Sequence, residues 1–252
     1  MTALLIATRN AHKVREIQQI LPADYQCLTL DDFPGAPTPV EDGATFAANA
    51  AKKVSALADW LSSSAGRARL CRAVETSNSG RAKLCRAVKI PSSREEGREI
   101  PSPPLCYLLA DDSGLEVDAL GGAPGVLSAR FAALDSAVAE NSPDHANNAR
   151  LLRLLESVPM ARRTARFRCV LAVRELLQPS AAETVLFEGV CEGRIRLQPA
   201  GGGGFGYDPL FIPEGCSQSF AELGEAVKNS LSHRALALQK LRDYLATRTG
   251  SP

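Results

Sequence analysis

The chain has 252 residues, 45% hydrophobic and 23% charged, an ordinary globular composition with enough apolar material for one sizeable core or two small lobes, which excludes disorder throughout. Lys and Arg total 29 and Asp and Glu 28, and the net charge of +1 gives no electrostatic case for bulk binding to nucleic acid or anionic lipid. Apolar runs such as residues 3–7 and 170–173 fall far short of the ~20 residues that cross a bilayer. The amino terminus lacks the basic flank and cleavage site of a secretory signal. The seven cysteines include no Cys-x-x-Cys pair, so neither a disulfide framework nor a zinc knuckle is signalled. The expectation is a cytoplasmic protein with reduced thiols and no membrane contact.

In chain order, residues 3–7 predict a buried strand, and Asn10 caps a helix carrying Val14, Ile17, Ile20 and Leu21 at helical spacing. Phe46, Ala50, Val54, Leu57 and Leu61 form one apolar stripe of a second helix, which begins just after Glu41-Asp42-Gly43. The next stretch, about 62–104, reads differently. The run from Gly66 to Val74 recurs from Gly80 to Val88 with one conservative change, within a Ser-, Arg- and Pro-rich segment holding nine Lys or Arg and four Glu. Two copies are too few for a solenoid. The segment reads as a tolerated, looped-out surface insert, since long loops cost little closure entropy, in preference to a basic arm for RNA or a partner. Residues 105–110 then predict a buried strand ending at a sharp turn in Asp111-Asp112-Ser113-Gly114. Leu115, Val117 and Ala119 alternate with acids as far as Gly121-Gly122-Ala123-Pro124-Gly125. Ser142-Pro143 starts a helix to about Glu156. Strands are expected at 165–173, 184–190, 195–198 and 210–212. A last helix covers about 232–247, after a Ser219-x-x-Glu222 capping signal and an intervening turn. This order fits an α/β fold, a mixed sheet flanked by helices.

The strongest chemical signal is the Asp111-Asp112 pair. Neighbours in an extended chain point oppositely, so one aspartate faces a site and the other anchors the backbone. Glu41, at a loop-to-helix boundary, offers a second hard oxygen ligand, and one or two carboxylates completed by substrate phosphates are what magnesium commonly receives. Thr8-Arg9-Asn10-Ala11-His12-Lys13 lies between a strand and a helix amino terminus, where free N–H groups and the helix dipole favour an anion. The run from Gly201 to Pro209 brings an aromatic and a carboxylate together on a flexible backbone. Phe205 there can stack on a base and Asp208 can accept from ring N–H donors. Lys228 and His233-Arg234 add positive charge. Each feature also has a plain structural reading, as a turn, a helix-end charge or solvated surface.

Thr8-Arg9-Asn10 with Lys13, Glu41-x-Gly43-x-Thr45-Phe46, Asp111-Asp112-Ser113-Gly114-Leu115, Gly121-Gly122-Ala123-Pro124-Gly125, Gly203-Gly204-Phe205-Gly206-Tyr207-Asp208-Pro209 and Ser232-His233-Arg234 together resemble the non-canonical purine nucleoside triphosphate pyrophosphatases. The motifs run in family order across nearly the whole chain. The resemblance implies hydrolysis of dITP, ITP and XTP to the monophosphate and pyrophosphate with Mg2+. It also implies an elongated mixed β-sheet in two lobes with a central nucleotide cleft, one domain over 1–252 interrupted by the insert, and a homodimer. By matching motif, Asp112 stands as general base and magnesium ligand, Glu41 as the other metal carboxylate and Ser113 as a substrate contact. Thr8, Arg9, Asn10, Ala11, His12, Lys13 and Lys228 would hold triphosphate, Phe205, Gly206, Tyr207 and Asp208 the base, and His233 and Arg234 its 6-oxo edge. A donor aimed at a 6-oxo group rejects adenine, whose 6-amino group leaves two donors facing each other. Rejection of guanine must come from the 2-position. Two departures from the family pattern are the insert and Arg9, which stands where many members place glycine. Two other readings remain: a septum-inhibitor-type pyrophosphatase acting on modified or pyrimidine triphosphates, and a non-catalytic nucleotide- or RNA-binding protein that uses the basic insert.

Overall fold

Strand β1 (Thr2–Ile6) is buried at every position, as its unbroken apolar run requires of a central parallel strand. It leads into helix α1 (Ala11–Ile20), whose cap Asn10 accepts from the backbone N–H groups of His12 and Lys13. These coordinates are a computed structural model and describe residues 2–63, 70, 106–135, 141–176 and 183–249. Strand β2 (Tyr25–Thr29) follows α1, and helix α2 (Phe46–Ser62) is capped by Thr45, whose hydroxyl accepts from the N–H of Ala48. Then come β3 (Cys106–Val117), α3 (Asp144–Leu154), β4 (Thr164–Glu175), β5 (Val185–Ile195) and β6 (Phe211–Pro213). Helices α4 (Phe220–Leu231) and α5 (His233–Thr249) close the chain.

The six strands form one sheet in the order β2-β1-β3-β4-β5-β6. Strands β2, β1 and β3 are parallel, and β3 to β6 run antiparallel. Two cores cover opposite faces of the β1 half, one beneath α2 and one beneath α1 and α5. A third lies at the far ends of β3, β4 and β5, under α3 and α4. The long strands β3 to β5 run from the first two cores into the third, which makes the sheet elongated and two-lobed.

Several expectations change. Asp111-Asp112-Ser113-Gly114 is not a turn: β3 continues through it, paired with β4 from Tyr107 to Val117. The interruption belongs to β1 instead, whose pairing with β3 stops at Ile6↔Leu109. That leaves the β3 edge open beside the two aspartates. The strand expected at 184–190 runs on to Ile195 as β5, held by continuous pairing with β4, and residues 196–198 of the strand expected at 195–198 form none. The Ser219–Glu222 box is present but caps α4, a helix where only a turn was expected, kinked at Gly224. Strand β2 was not anticipated either. Of the basic stretch at about 62–104, only residues 62, 63 and 70 are described, so its looping-out lies outside the described residues. Leu70 is buried in the core beneath α2.

Candidate active site

The β3 alternation decides what each aspartate meets. Leu108 and Ala110 belong to the core under α2, and Tyr107 and Leu109 to the core under α1 and α5. Asp112 therefore points to α2, while Asp111 and Ser113 point to α1 and α5.

On the α2 side, Lys53 Nζ lies 2.8 Å from both Asp112 Oδ1 and Glu41 Oε1, and donates to the Asp111 carbonyl at 3.1 Å. Asn49, one turn earlier on α2, donates to Asp112 Oδ2 at 3.1 Å. Burial pushes the Asp112 carboxyl above its ordinary value against the pull of Lys53 and Lys13, with Glu41 adding to the rise. Burial alone would lower Lys53, but Asp112 and Glu41 outweigh it and hold the ammonium above its usual value. Two carboxylates from different elements thus converge on one cation position. Among the described residues no group of three or more His, Cys, Asp or Glu is placed to hold a metal ion. Two carboxylates are the number that magnesium commonly receives from a protein when phosphate and water fill its other positions.

On the other side, Asp111 is 1% exposed. It takes Lys13 Nζ on Oδ1 and Arg234 Nε at 3.0 Å on Oδ2. The Ser113 hydroxyl donates to Oδ1 at 3.0 Å and the Cys169 thiol to Oδ2 at 3.1 Å. Burial would raise this carboxyl, but Arg234 and Lys13 overcome it and hold it well below the usual range. Burial keeps the Cys169 thiol protonated, with Asp111 acting in the same sense. Arg234 also binds Glu16 through Nη1 and Ser113 Oγ at 2.9 Å through Nη2. Glu16 passes the network to Lys228 at 2.6 Å, and Lys228 pairs with Asp208. Lys53, Glu41 and Asp112 thus form one small group, which meets the other side of β3 at the Asp111 carbonyl, while Lys13, Asp111, Arg234, Glu16, Lys228 and Asp208 form a separate chain of alternating charge.

The glycine run ends this chain. Asp208 Oδ2 accepts the Phe205 N–H at 2.8 Å, which folds the loop back on itself. Gly204 makes this possible: its φ is +73°, and a Cβ there would lie 2.1 Å from Asp208 Oδ2. The Phe205 ring stacks on His12 at 5.1 Å between centroids and carries Lys228 Nζ at 4.5 Å from its centre. A cavity of about 220 Å³ opens beside it, lined by His12, Glu16, Phe220 and Lys228 among others. Tyr207 is buried, its hydroxyl donating to the Ser128 carbonyl at 2.9 Å.

Of the residues singled out in sequence, Asp111, Asp112, Ser113, Glu41 and Lys13 come together, and Arg234 joins them. Lys228 stands with Phe205 and Asp208 rather than with the Lys13 and Lys53 ammonium groups. The Arg9 side chain turns away to the 36–38 segment, donating to the Ala36 carbonyl at 3.1 Å. Thr8 accepts the Asn10 N–H at 3.2 Å, and the Asn10 side chain already caps His12 and Lys13; Ala11 opens the helix. His233 stacks on Phe167 at 4.8 Å, with Nδ1 buried and without a partner. Lys53, Asn49, Glu16 and Cys169 were missed. A usable signal existed for the first two, since Asn49 and Lys53 lie four apart on α2, each just before a residue of the buried stripe.

Burial, reinforced by Arg234 and Lys228, holds His233 well below its ordinary value near 6.5 and so keeps it neutral. The unfolded chain binds a proton there below about pH 6.5 and the folded chain does not. Folding stability therefore falls as pH drops below that point, by up to about 1.4 kcal/mol per unit from this group. Chemical denaturation between pH 7 and 5 shows the slope, and His233→Gln flattens it; an unchanged slope in the variant contradicts the assignment.

An α/β protein with a mixed, two-lobed sheet and paired charges gathered on both faces of β3 is the class that these observations define. A sequence model of the Ham1 family matches residues 4–69 and 81–244. The chain belongs to the Ham1 family. The unmatched residues 70–80 fall within the repeat-containing stretch. A protein of Desulforamulus reducens named "dITP/XTP pyrophosphatase" is 43% identical over 96% of this chain and 94% of its own length. One of the same name from Geobacter sulfurreducens is 41% identical over 97% of each chain. Among solved structures, the Ham1 protein of Staphylococcus aureus matches with a TM-score of 0.69 at 29% identity, covering 98% of this chain and all of the other. The nucleoside-triphosphatase or dITP/XTP pyrophosphatase of Mycobacterium abscessus matches with a TM-score of 0.59 at 32% identity, covering 95% and 98%.

Proposed function

We propose that this chain is a nucleoside triphosphate pyrophosphatase that hydrolyses dITP, ITP and XTP to the monophosphate and pyrophosphate, removing deaminated purines from the nucleotide pool. The observation that carries this reading is the convergence of Glu41 and Asp112 on Lys53, on the other face of β3 from the charge chain that runs from Lys13 and Asp111 to Asp208 beside Phe205. Family membership and the names of the relatives support it.

Asp112 acts as the base that takes a proton from the attacking water, a role favoured by a carboxyl that burial pushes upward and so makes more basic. Lys13 and Lys53 balance charge on the triphosphate as water attacks the α-phosphorus. Glu41 and Asp112 would hold Mg2+, which when bound neutralises part of the phosphate charge. Ser113 and the 8–13 segment contact phosphate and sugar. The base enters the cavity beside Phe205, where its ring takes the stacking position that His12 fills in the structure. The 205–208 loop and Lys228 frame that cavity, and Arg234 and neutral His233 offer donors to a 6-oxo acceptor. An adenine 6-amino group there strands a buried donor. The chain acts as one domain interrupted by the repeat-containing stretch at about 62–104, within which Leu70 is held in the core beneath α2, and as a homodimer in the cytoplasm. Among the described residues no helix is long and apolar enough to cross a membrane.

Hydrolysis of dITP in H2(18)O tests the reaction. The label is expected in dIMP with unlabelled pyrophosphate; label in pyrophosphate, or release of orthophosphate, overturns attack at the α-phosphorus.

A further inference from the structure

Segment 36–43 carries Glu41 but forms neither helix nor strand, so side chains from elsewhere fix its peptide groups. Arg9 grips Ala36 and Thr38, and the Asn49 side-chain oxygen accepts the Gly43 N–H at 2.8 Å. Lys53 holds the Glu41 carboxylate, and the contact on the Glu41 peptide comes from Arg130, whose Nη2 donates to the Glu41 carbonyl at 2.7 Å.

Arg130 ends the short 3-10 turn Gly125–Arg130, and that turn reaches two other parts of the site. Ser128 Oγ accepts the Leu115 N–H at 2.9 Å, directly after the aspartate motif on β3, and donates to the Gly125 carbonyl at 2.6 Å. Its carbonyl takes the Tyr207 hydroxyl at 2.9 Å, inside the 205–208 loop. Gly114 makes room, since a Cβ there would lie 2.4 Å from Ser128 Oγ. One six-residue turn therefore touches the Glu41 segment, the aspartate strand and the aromatic loop.

We propose that Arg130 is a positioning residue for Glu41, and that the Gly125–Arg130 turn sets the distance between the carboxylate end and the aromatic end of the site. This rests on the pyrophosphatase reading. A guanidinium on a carbonyl is a charge-assisted bond that fixes the peptide plane from which the Glu41 side chain springs. Losing it lets the carboxylate wander while Ser128 and Tyr207 still hold the aromatic loop, so the defect falls on metal use and turnover rather than on nucleotide affinity.

The test compares wild type, Arg130→Ala and Arg130→Lys. Pyrophosphate release from dITP is followed against Mg2+ concentration, Mn2+ binding is measured by calorimetry, and amide exchange is read over 38–45. Arg130→Ala is expected to need about 10-fold more Mg2+ and to lose about 10-fold in kcat, the range seen when a ligand's outer partner is removed. Its KM for dITP at saturating Mg2+ stays within roughly threefold, Mn2+ binding weakens, exchange quickens over 38–45 and not elsewhere, and Arg130→Lys recovers most of the loss. Unchanged Mg2+ dependence, Mn2+ binding and local exchange in Arg130→Ala overturn the proposal. So does a general rise in exchange that Lys does not rescue, since that marks a structural role only. If wild type hydrolyses no triphosphate the pyrophosphatase reading falls, while Mn2+ binding and exchange still decide whether Arg130 holds the Glu41 segment.

Discussion

Replacing Asp112 by Asn is expected to slow pyrophosphate release from dITP by at least about 100-fold and up to about 10⁴-fold, the span that a positioned general base contributes. The amide keeps the shape, can still accept from Lys53, and leaves Lys53 paired with Glu41. Folding already raises the Asp112 carboxyl, so its ionised form opposes folding and a neutral amide costs no stability on that account. Against this, the amide NH2 that replaces Oδ2 faces the Asn49 donor, so the melting temperature should change by only a few degrees (~1 kcal/mol) while turnover collapses. Turnover within tenfold of wild type would show that another group takes the proton.

The neighbouring replacement, Asp111→Asn, should act mainly on stability. Asp111 is the buried counter-charge of Arg234 and Lys13, and Arg234 is itself 1% exposed. With the carboxylate gone, Arg234 keeps only Glu16 as a charged partner. Breaking a buried pair from one side costs on the order of 3 kcal/mol, which corresponds to a fall of roughly 6–12 °C in melting temperature for a chain of this size. The same interaction has a pH signature. Because the folded-state carboxyl lies well below its ordinary 3.8, its contribution is complete above that value and is lost as pH falls through the folded-state value. Thermal melts of both proteins at pH 7 check the first part, and a difference under about 2 °C contradicts it. Adjacent aspartates with opposite dominant effects, one on rate and one on stability, are a direct consequence of strand alternation.

That division was legible before any coordinates, because two charges inside an otherwise apolar strand must face opposite ways. The turn assigned to the same motif was not, since Ser-Gly after two aspartates is the usual composition of a turn and nothing local shows that β4 pairs straight through it. The open edge is made by β1 ending at Ile6, a fact about a different strand. Lys53 and Glu16 escaped for a related reason. A lone charge on a helix is ordinarily solvated, and only the tertiary placement of β3 and α5 makes these two buried partners. Helix α4 was obscured by Gly224, which breaks its period, although its capping box was plain in the sequence. Phe205 was expected to be open for stacking; its ring lies on His12, a contact between α1 and the glycine run that neither sequence segment shows by itself.

The most direct measurement is kcat/KM for pyrophosphate release from dITP, XTP, dGTP and dATP by the purified full chain with Mg2+. The account predicts that dITP and XTP exceed dATP by at least about 10²-fold, with dGTP also disfavoured, because a buried donor set is mismatched to a 6-amino group. Equal values for dITP and dATP, or no pyrophosphate from any of the four, would contradict it.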